Sequence, residues 1–224
     1  SHNILYFVSL TPNYATCYSL FVRKQFPVFR ITPNSQPTGK TMRIPPKEMT
    51  IIDFLKDRAT RSADNLAFRF MGNGELDGPI TEWTFSELYH QSVGVAEDLV
   101  EQGLPGSSVL LAFPPGLDFV KAFFGCLLAG ARAVPVPLPN PRSKNPLGRI
   151  LSTARACGAS TVLTDQQIAA MVATMGSELP ICLRAVTDRL GTDWAGPRAE
   201  MNEVAYLQFT SGSTGHPKGV AVSH

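Results

Sequence analysis

The residues best suited to chemistry sit together near the end of the sequence, where positions 206–224 read YLQFTSGSTGHPKGVAVSH. Thr210, Ser211, Ser213 and Thr214 bring hydroxyls, Gly212 and Gly215 bring backbone N–H groups unshielded by a Cβ, and Lys218 brings a point charge. Successive N–H groups in a glycine-rich turn can form an anion-binding nest, hydroxyls add neutral donors, and an ammonium balances negative charge. Apolar runs at 204–209 and 220–222 flank the loop, so the pattern is strand, polar loop, strand. Such a loop suits a polyphosphate. Two commoner phosphate loops are excluded by spacing. The P-loop needs Gly directly before Lys and Ser or Thr directly after it, whereas Lys218 lies between Pro217 and Gly219. The G-x-G-x-x-G dinucleotide pattern fails because position 214, between Gly212 and Gly215, is Thr. A surface hairpin rich in turn formers is the plain alternative.

The elements that must hold this loop are legible upstream. Thr50 and Asp53 form a capping-box pair that predicts a helix to about Arg61, with Ile51, Phe54, Leu55 and Ala59 near one face. Residues 66–71 alternate like a strand, Gly72-Asn73-Gly74 reads as a turn, and a second strand is expected near 80–83. Thr84 and Glu87 form another capping box, opening a helix that carries Phe85, Leu88, Tyr89, Ala96 and Leu99 and stops at Gly103. Then follow a strand at 108–113, a nearly all-apolar helix at 117–129, a strand at 133–138 and a proline-rich loop at 139–146. A helix at 147–157 capped by Gly158, a strand at 161–163, a helix at 165–175 with Asp165 as N-cap, and a strand at 180–186 complete the alternation. Residues 188–200 read as a polar loop. Strand–helix alternation at these lengths predicts an α/β fold, a largely parallel sheet with helices on both faces. Ligands of such sheets bind beyond the carboxyl ends of strands, which is where the 210–219 loop falls.

Bulk properties exclude several classes. With 224 residues and 44% hydrophobic content the chain can bury a substantial core, and its formal charge of +2 with no dense Lys/Arg tract gives no footprint for nucleic acid. The apolar stretch at 119–138 is broken by Lys121, Arg132, Pro135 and Pro137, so no membrane span is expected. Residues 4–10 are apolar but lack a preceding basic region, which argues against a secretory signal and for a cytoplasmic protein. Cys17, Cys126, Cys157 and Cys182 are widely spaced; Cys126 and Cys157 are expected as buried reduced thiols, and the histidines show no metal-ligand spacing. Residues 1–45 show no sustained periodicity, with a linker-like TPNSQPTGK at 32–40, and read as an extension or linker; Met42 is a candidate initiator, against a genuine extra segment. His224 and His90 are not assigned catalytic roles, and Phe119, Phe123 and Phe124 read as core, not as an acyl-binding wall.

Taken whole, the 206–224 string resembles the phosphate-loop signature of the adenylate-forming (AMP-binding) superfamily. PPGLDFVKAFFGCLLAGARAVPVPLPNPR at 114–142 resembles an early part of the same enzymes, where such a helix leads into a proline-rich crossing. LQFTSGST, the paired prolines and the proline density after Val134-Pro135 look most like fatty acyl-AMP ligases. The resemblance covers about residues 50–224, and implies that 46–224 is an incomplete N-terminal portion of an adenylation domain. It implies an acid-activating ligase: a carboxylate attacks the α-phosphorus of ATP, pyrophosphate leaves and an acyl-adenylate forms, with Mg²⁺ bridging phosphate oxygens. It further implies that Thr210, Ser211, Gly212, Ser213, Thr214, Gly215 and Lys218 hold the ATP phosphates, and that catalytic residues, hinge and insertion lie downstream. On that reading residues 1–224 alone would be inactive. Fatty acid would be the substrate, with an acyl carrier protein or CoA as acceptor. An acyl-CoA synthetase or peptide-synthetase adenylation domain, and a non-catalytic phosphate-binding or scaffold module, are the alternatives.

Overall fold

The computed structural model describes residues 6–8, 17–19, 49–71, 79–174, 180–200, 202–210 and 218–224. Near the start, β1 (Tyr6–Val8) and β2 (Cys17–Ser19) pair antiparallel, a local ladder that the irregular sequence there did not announce.

Helix α1 (Ile51–Arg61) begins at its predicted cap: the Thr50 hydroxyl accepts from the Asp53 N–H, and the Asp53 carboxylate accepts from the Thr50 N–H. Its buried face is carried by Ile52 and Leu55. Ile51, expected on that face, is exposed because the first helical residue here turns outward. β3 (Leu66–Met71) and β4 (Ile80–Thr84) form a separate antiparallel pair; the expected 72–74 turn lies outside the described residues. Thr84 and Glu87 close the second capping box, at the head of α2 (Phe85–Glu101). α2 buries a broader face than its strict helical stripe: Ser92 and Val95 meet α3 (Leu117–Ala129), while Val93 and Gly94 meet the chain around Arg189 and Gly191. A Cβ on Gly125 of α3 would lie 2.6 Å from the Val95 side chain, so the two helices meet backbone to side chain there.

The main sheet has the order β10-β9-β6-β5-β7-β8. β5 (Ser108–Leu111), β6 (Arg132–Pro135), β7 (Thr161–Thr164), β8 (Cys182–Ala185) and β9 (Val204–Thr210) are parallel, and β10 (Lys218–Ser223) returns antiparallel on β9. β6 is shorter than expected. It ends at Pro135 because alternating prolines at 135, 137 and 139 remove the N–H donors a ladder needs. β5 and β8 are likewise trimmed at their ends, leaving Phe113 and Pro180 outside the strands.

Helices cover both faces. α1, α2 and α3 pack with Val109, Leu111 and Ala133 in one core, while α4 (Gly148–Cys157) and α5 (Gln166–Thr174) pack with Leu110, Val134 and Val162 in the other. α4 ends at Gly158 in the left-handed conformation, and the Asp165 carboxylate accepts from the Ile168 N–H at 2.7 Å at the head of α5. Phe119, Phe123 and Phe124 are core residues. Cys126 is fully buried and its thiol is pushed up to about 12 by burial, whereas Cys157, expected buried, is only half-covered and Cys182 is exposed. Among the described residues no helix is long and apolar enough to cross a membrane.

Candidate functional site

Because β5 to β9 run parallel, their carboxyl ends share one edge of the sheet. The chain leaves β5 for β6 on one side and later enters β7 on the other, so the strand order reverses about β5 on this edge. That is the place where an open α/β sheet opens a crevice for ligand. β9 ends at the same edge.

Thr210 is the last residue of β9 and Lys218 the first of β10, and they are register partners. Both ends of the glycine-rich segment are therefore anchored on adjacent strands at the carboxyl edge of the parallel sheet. Of the sequence-predicted site residues, the structure brings Thr210 and Lys218 together; Ser211, Gly212, Ser213, Thr214 and Gly215 lie outside the described residues. The hairpin base is set by packing. Tyr206 reaches the α3 layer, edge-on to Phe123 at 5.6 Å between ring centroids, while Leu207 and Phe209 pack on the α4–α5 side. A Cβ at Gly219 would lie 2.9 Å from the Phe209 ring, so glycine next to Lys218 leaves the cross-strand space to that ring. No Asp or Glu occurs from 204 to 219, so the segment itself brings hydroxyl, amide and ammonium groups and no carboxylate.

His224 stands elsewhere. It follows β10 at the opposite edge, roughly 20 Å from Lys218 at about 3.4 Å of strand per residue. Its N–H donates to the Glu203 carbonyl, and burial pushes its imidazole below the ordinary range against the pull of Glu203 and Asp53. That separation puts it out of reach of Lys218.

What sequence reasoning missed is the support behind β9. Residues 186–203 carry the chain from β8, at one side of the sheet, back across the α2–α3 layer to β9. This strap is fastened along its length. Lys121 of α3, buried, donates to Asp188 at 2.8 Å and pairs with Asp118 at 3.1 Å. Arg189 pairs with Glu97 and Glu101, and the Gly191 N–H donates to the His90 carbonyl. The Tyr89 hydroxyl donates to Asp193 at 2.8 Å and accepts from the Trp194 N–H; burial, with the Asp193 carboxylate, pushes that phenol up to about 12. Arg198 grips Asp53 with Nε and Nη2 at 3.0 and 2.8 Å. Burial alone would raise the Asp53 carboxyl, but the hydrogen bonds from Arg198 and Thr50 outweigh it and hold the group below the usual carboxylate range. The interruption of an apolar stretch by Lys121 was the one sequence signal for this clasp.

Comparison with known proteins fits the arrangement. The family model described as AMP-binding enzyme matches residues 55–224. The medium-chain-fatty-acid–[acyl-carrier-protein] ligase JamA of Moorena producens is 35% identical over 188 residues, covering 80% of this chain and 31% of that protein. The long-chain-fatty-acid–AMP ligase FadD32 of Mycolicibacterium smegmatis is 32% identical, covering 80% and 30%. A crystal structure of the fatty acid AMP ligase from Legionella pneumophila superposes with a TM-score of 0.68 at 31% identity, covering 77% of this chain and 30% of that one. The chain spans about three tenths of the length of the relatives it matches. With the family model matching most of its length and a largely parallel sheet covered by helices, this chain belongs to the AMP-binding enzyme family.

Proposed function

We propose that the chain is the N-terminal portion, from about residue 46, of an ATP-dependent ligase that activates a fatty acid as acyl-adenylate with release of pyrophosphate and passes the acyl group to a carrier protein. One observation carries the reading: Thr210 and Lys218 close a hairpin at the carboxyl edge of the parallel sheet, and the segment between them is SGSTGHP. Hydroxyls, backbone N–H groups and Lys218 would cradle the β- and γ-phosphates, and Lys218 would offset charge gathering on the departing pyrophosphate. The donor set fits a polyphosphate; Mg²⁺ carried on the phosphate oxygens would supply further charge neutralisation. The relatives named as fatty-acid ligases support the substrate class, and a cytoplasmic setting is part of the proposal. Residues 1–45 are proposed to be an extension or linker outside this domain.

The test uses the complete enzyme and fatty-acid-dependent ATP–pyrophosphate exchange. Lys218→Ala and Thr214→Ala should each slow exchange about a hundredfold, in the range for losing one preorganised donor to developing charge, while fatty-acid binding by calorimetry holds within a few fold. Equal losses in both would make the hairpin merely structural. Product analysis then separates carrier loading from acyl-CoA formation.

A further inference from the structure

Charge is not spread evenly over the two helical layers. Between residues 119 and 164 there is no Asp or Glu, whereas Lys121, Arg132, Arg142, Lys144, Arg149 and Arg155 are all cationic. Lys121 is taken by its buried pairing and Arg132 donates to the Ser108 hydroxyl. Arg142, Lys144, Arg149 and Arg155 are exposed, and among the described residues their side chains form no ion pair. The opposite layer behaves differently. α2 carries Glu87, Glu97, Asp98 and Glu101 with no Lys or Arg, yet Glu87 is used in its own cap and the other three meet Arg184 or Arg189. The acidic layer is neutralised from within; in the basic one, among the described residues, Asp165 is used at the head of α5 and these four cations have no ion-pair partner.

Position gives the imbalance its meaning. The loop carrying Arg142 and Lys144 leaves the carboxyl end of β6, the neighbour of β9, and Arg149 lies in the first turn of α4. These three therefore share the edge that holds Thr210 and Lys218. Arg155 continues the band along α4, about 9 Å farther at 1.5 Å per residue. α4 buries Ile150, Thr153 and Ala154, which leaves Arg149 and Arg155 facing outward. Cations strung along a loop and a helix do not converge on one phosphate. They match an extended acidic surface, and a small number of exposed charges is suited to fast, salt-sensitive docking of a protein that must also leave.

We propose that Arg142, Lys144, Arg149 and Arg155 form the docking band for an acidic helix face of the carrier protein that accepts the acyl group. The inference rests on the ligase reading above. Docking here would bring the carrier's thiol to the edge where the adenylate is made. There the sulfur attacks the acyl carbonyl, the C–S bond forms, the bond from acyl carbon to phosphate oxygen breaks, AMP departs and the thiol proton passes to solvent.

The experiment is done on the complete enzyme with two double variants, Arg142→Glu/Lys144→Glu and Arg149→Glu/Arg155→Glu. The probes are a phosphopantetheinylated carrier protein with an acidic helix face, and free pantetheine as an uncharged thiol acceptor. For each variant kcat/KM for carrier loading should fall at least tenfold and lose most of its ionic-strength dependence. Pantetheine acylation and pyrophosphate exchange should stay within twofold, and replacing the carrier's acidic residues by Lys should restore loading. Loading that is insensitive to charge reversal, a loss that is equal with pantetheine, or a loss seen only with CoA as acceptor would each overturn the docking band while leaving the adenylation reading in place. Absence of fatty-acid-dependent exchange in the wild type would remove both.

Discussion

At the scale of single residues, Lys121 and Asp53 show how differently two charged groups can serve one strap. Lys121 is buried, yet both its carboxylate partners reach solvent, Asp118 about half-exposed and Asp188 almost wholly so. Replacing the lysine returns those acids to water at little loss, whereas removing the acids strands an ammonium in the interior. Lys121→Met should therefore change stability by less than about 1 kcal/mol, and Asp118→Asn/Asp188→Asn should cost about 3 kcal/mol. Urea unfolding midpoints at unchanged slope check the contrast; a Lys121→Met loss as large as the double variant's would refute it. Asp53 works through protonation. Its folded carboxyl titrates below the unfolded one, so as pH falls the unfolded chain binds that proton first and acid favours unfolding. The contribution is complete above the ordinary value of 3.8 and is lost as pH drops through the lowered folded value. Asp53→Asn should flatten the acid limb of a stability–pH profile and leave its shape above pH ~5 unchanged. Since Arg198 is largely exposed, high salt should shrink the difference.

Among elements, the closest approach is that of the strap to α2. A Cβ at Gly94 would meet the Arg189 carbonyl oxygen at 1.8 Å, and one at Gly191 would meet the Val93 side chain at 2.2 Å. Both glycines are required by proximity, not by backbone conformation. Gly94→Ala should push the strap off the helix and cost about 2–3 kcal/mol, the range for overpacking a filled interface. Hydrogen exchange at Gly191 and Trp194 should rise with it, while exchange in α4 should not; uniform loosening would count against a local clasp. The helix starts were legible in the sequence because a capping box is local, a pair of residues three apart at 50/53 and at 84/87. The strap was legible only as a polar loop. Its anchors join residues 67 and 104 positions apart, Lys121 to Asp188 and Tyr89 to Asp193, and no periodicity reports such pairs. The two strands flanking the segment were legible as apolar runs, but the antiparallel return of β10 and the distance of His224 from Lys218 needed the sheet order.

For the molecule as a whole, the strand order β10-β9-β6-β5-β7-β8 sets an order of assembly. A ribosome delivers β5 to β8 first, and these can pair as a four-stranded parallel sheet whose β6 edge is apolar, with Ala133 and Val134 fully buried in the finished protein. That edge stays open until residues 186–203 have crossed the helical layer and β9 has arrived, an exposed backbone template of the kind that invites pairing with a neighbouring chain. The β9–β10 hairpin is therefore among the last parts of this sheet to form, and it forms only on a scaffold already built. Nascent chains halted before residue 204 would be the sticky ones, and the sheet would lose its open β6 edge only after the strap has brought β9 into place.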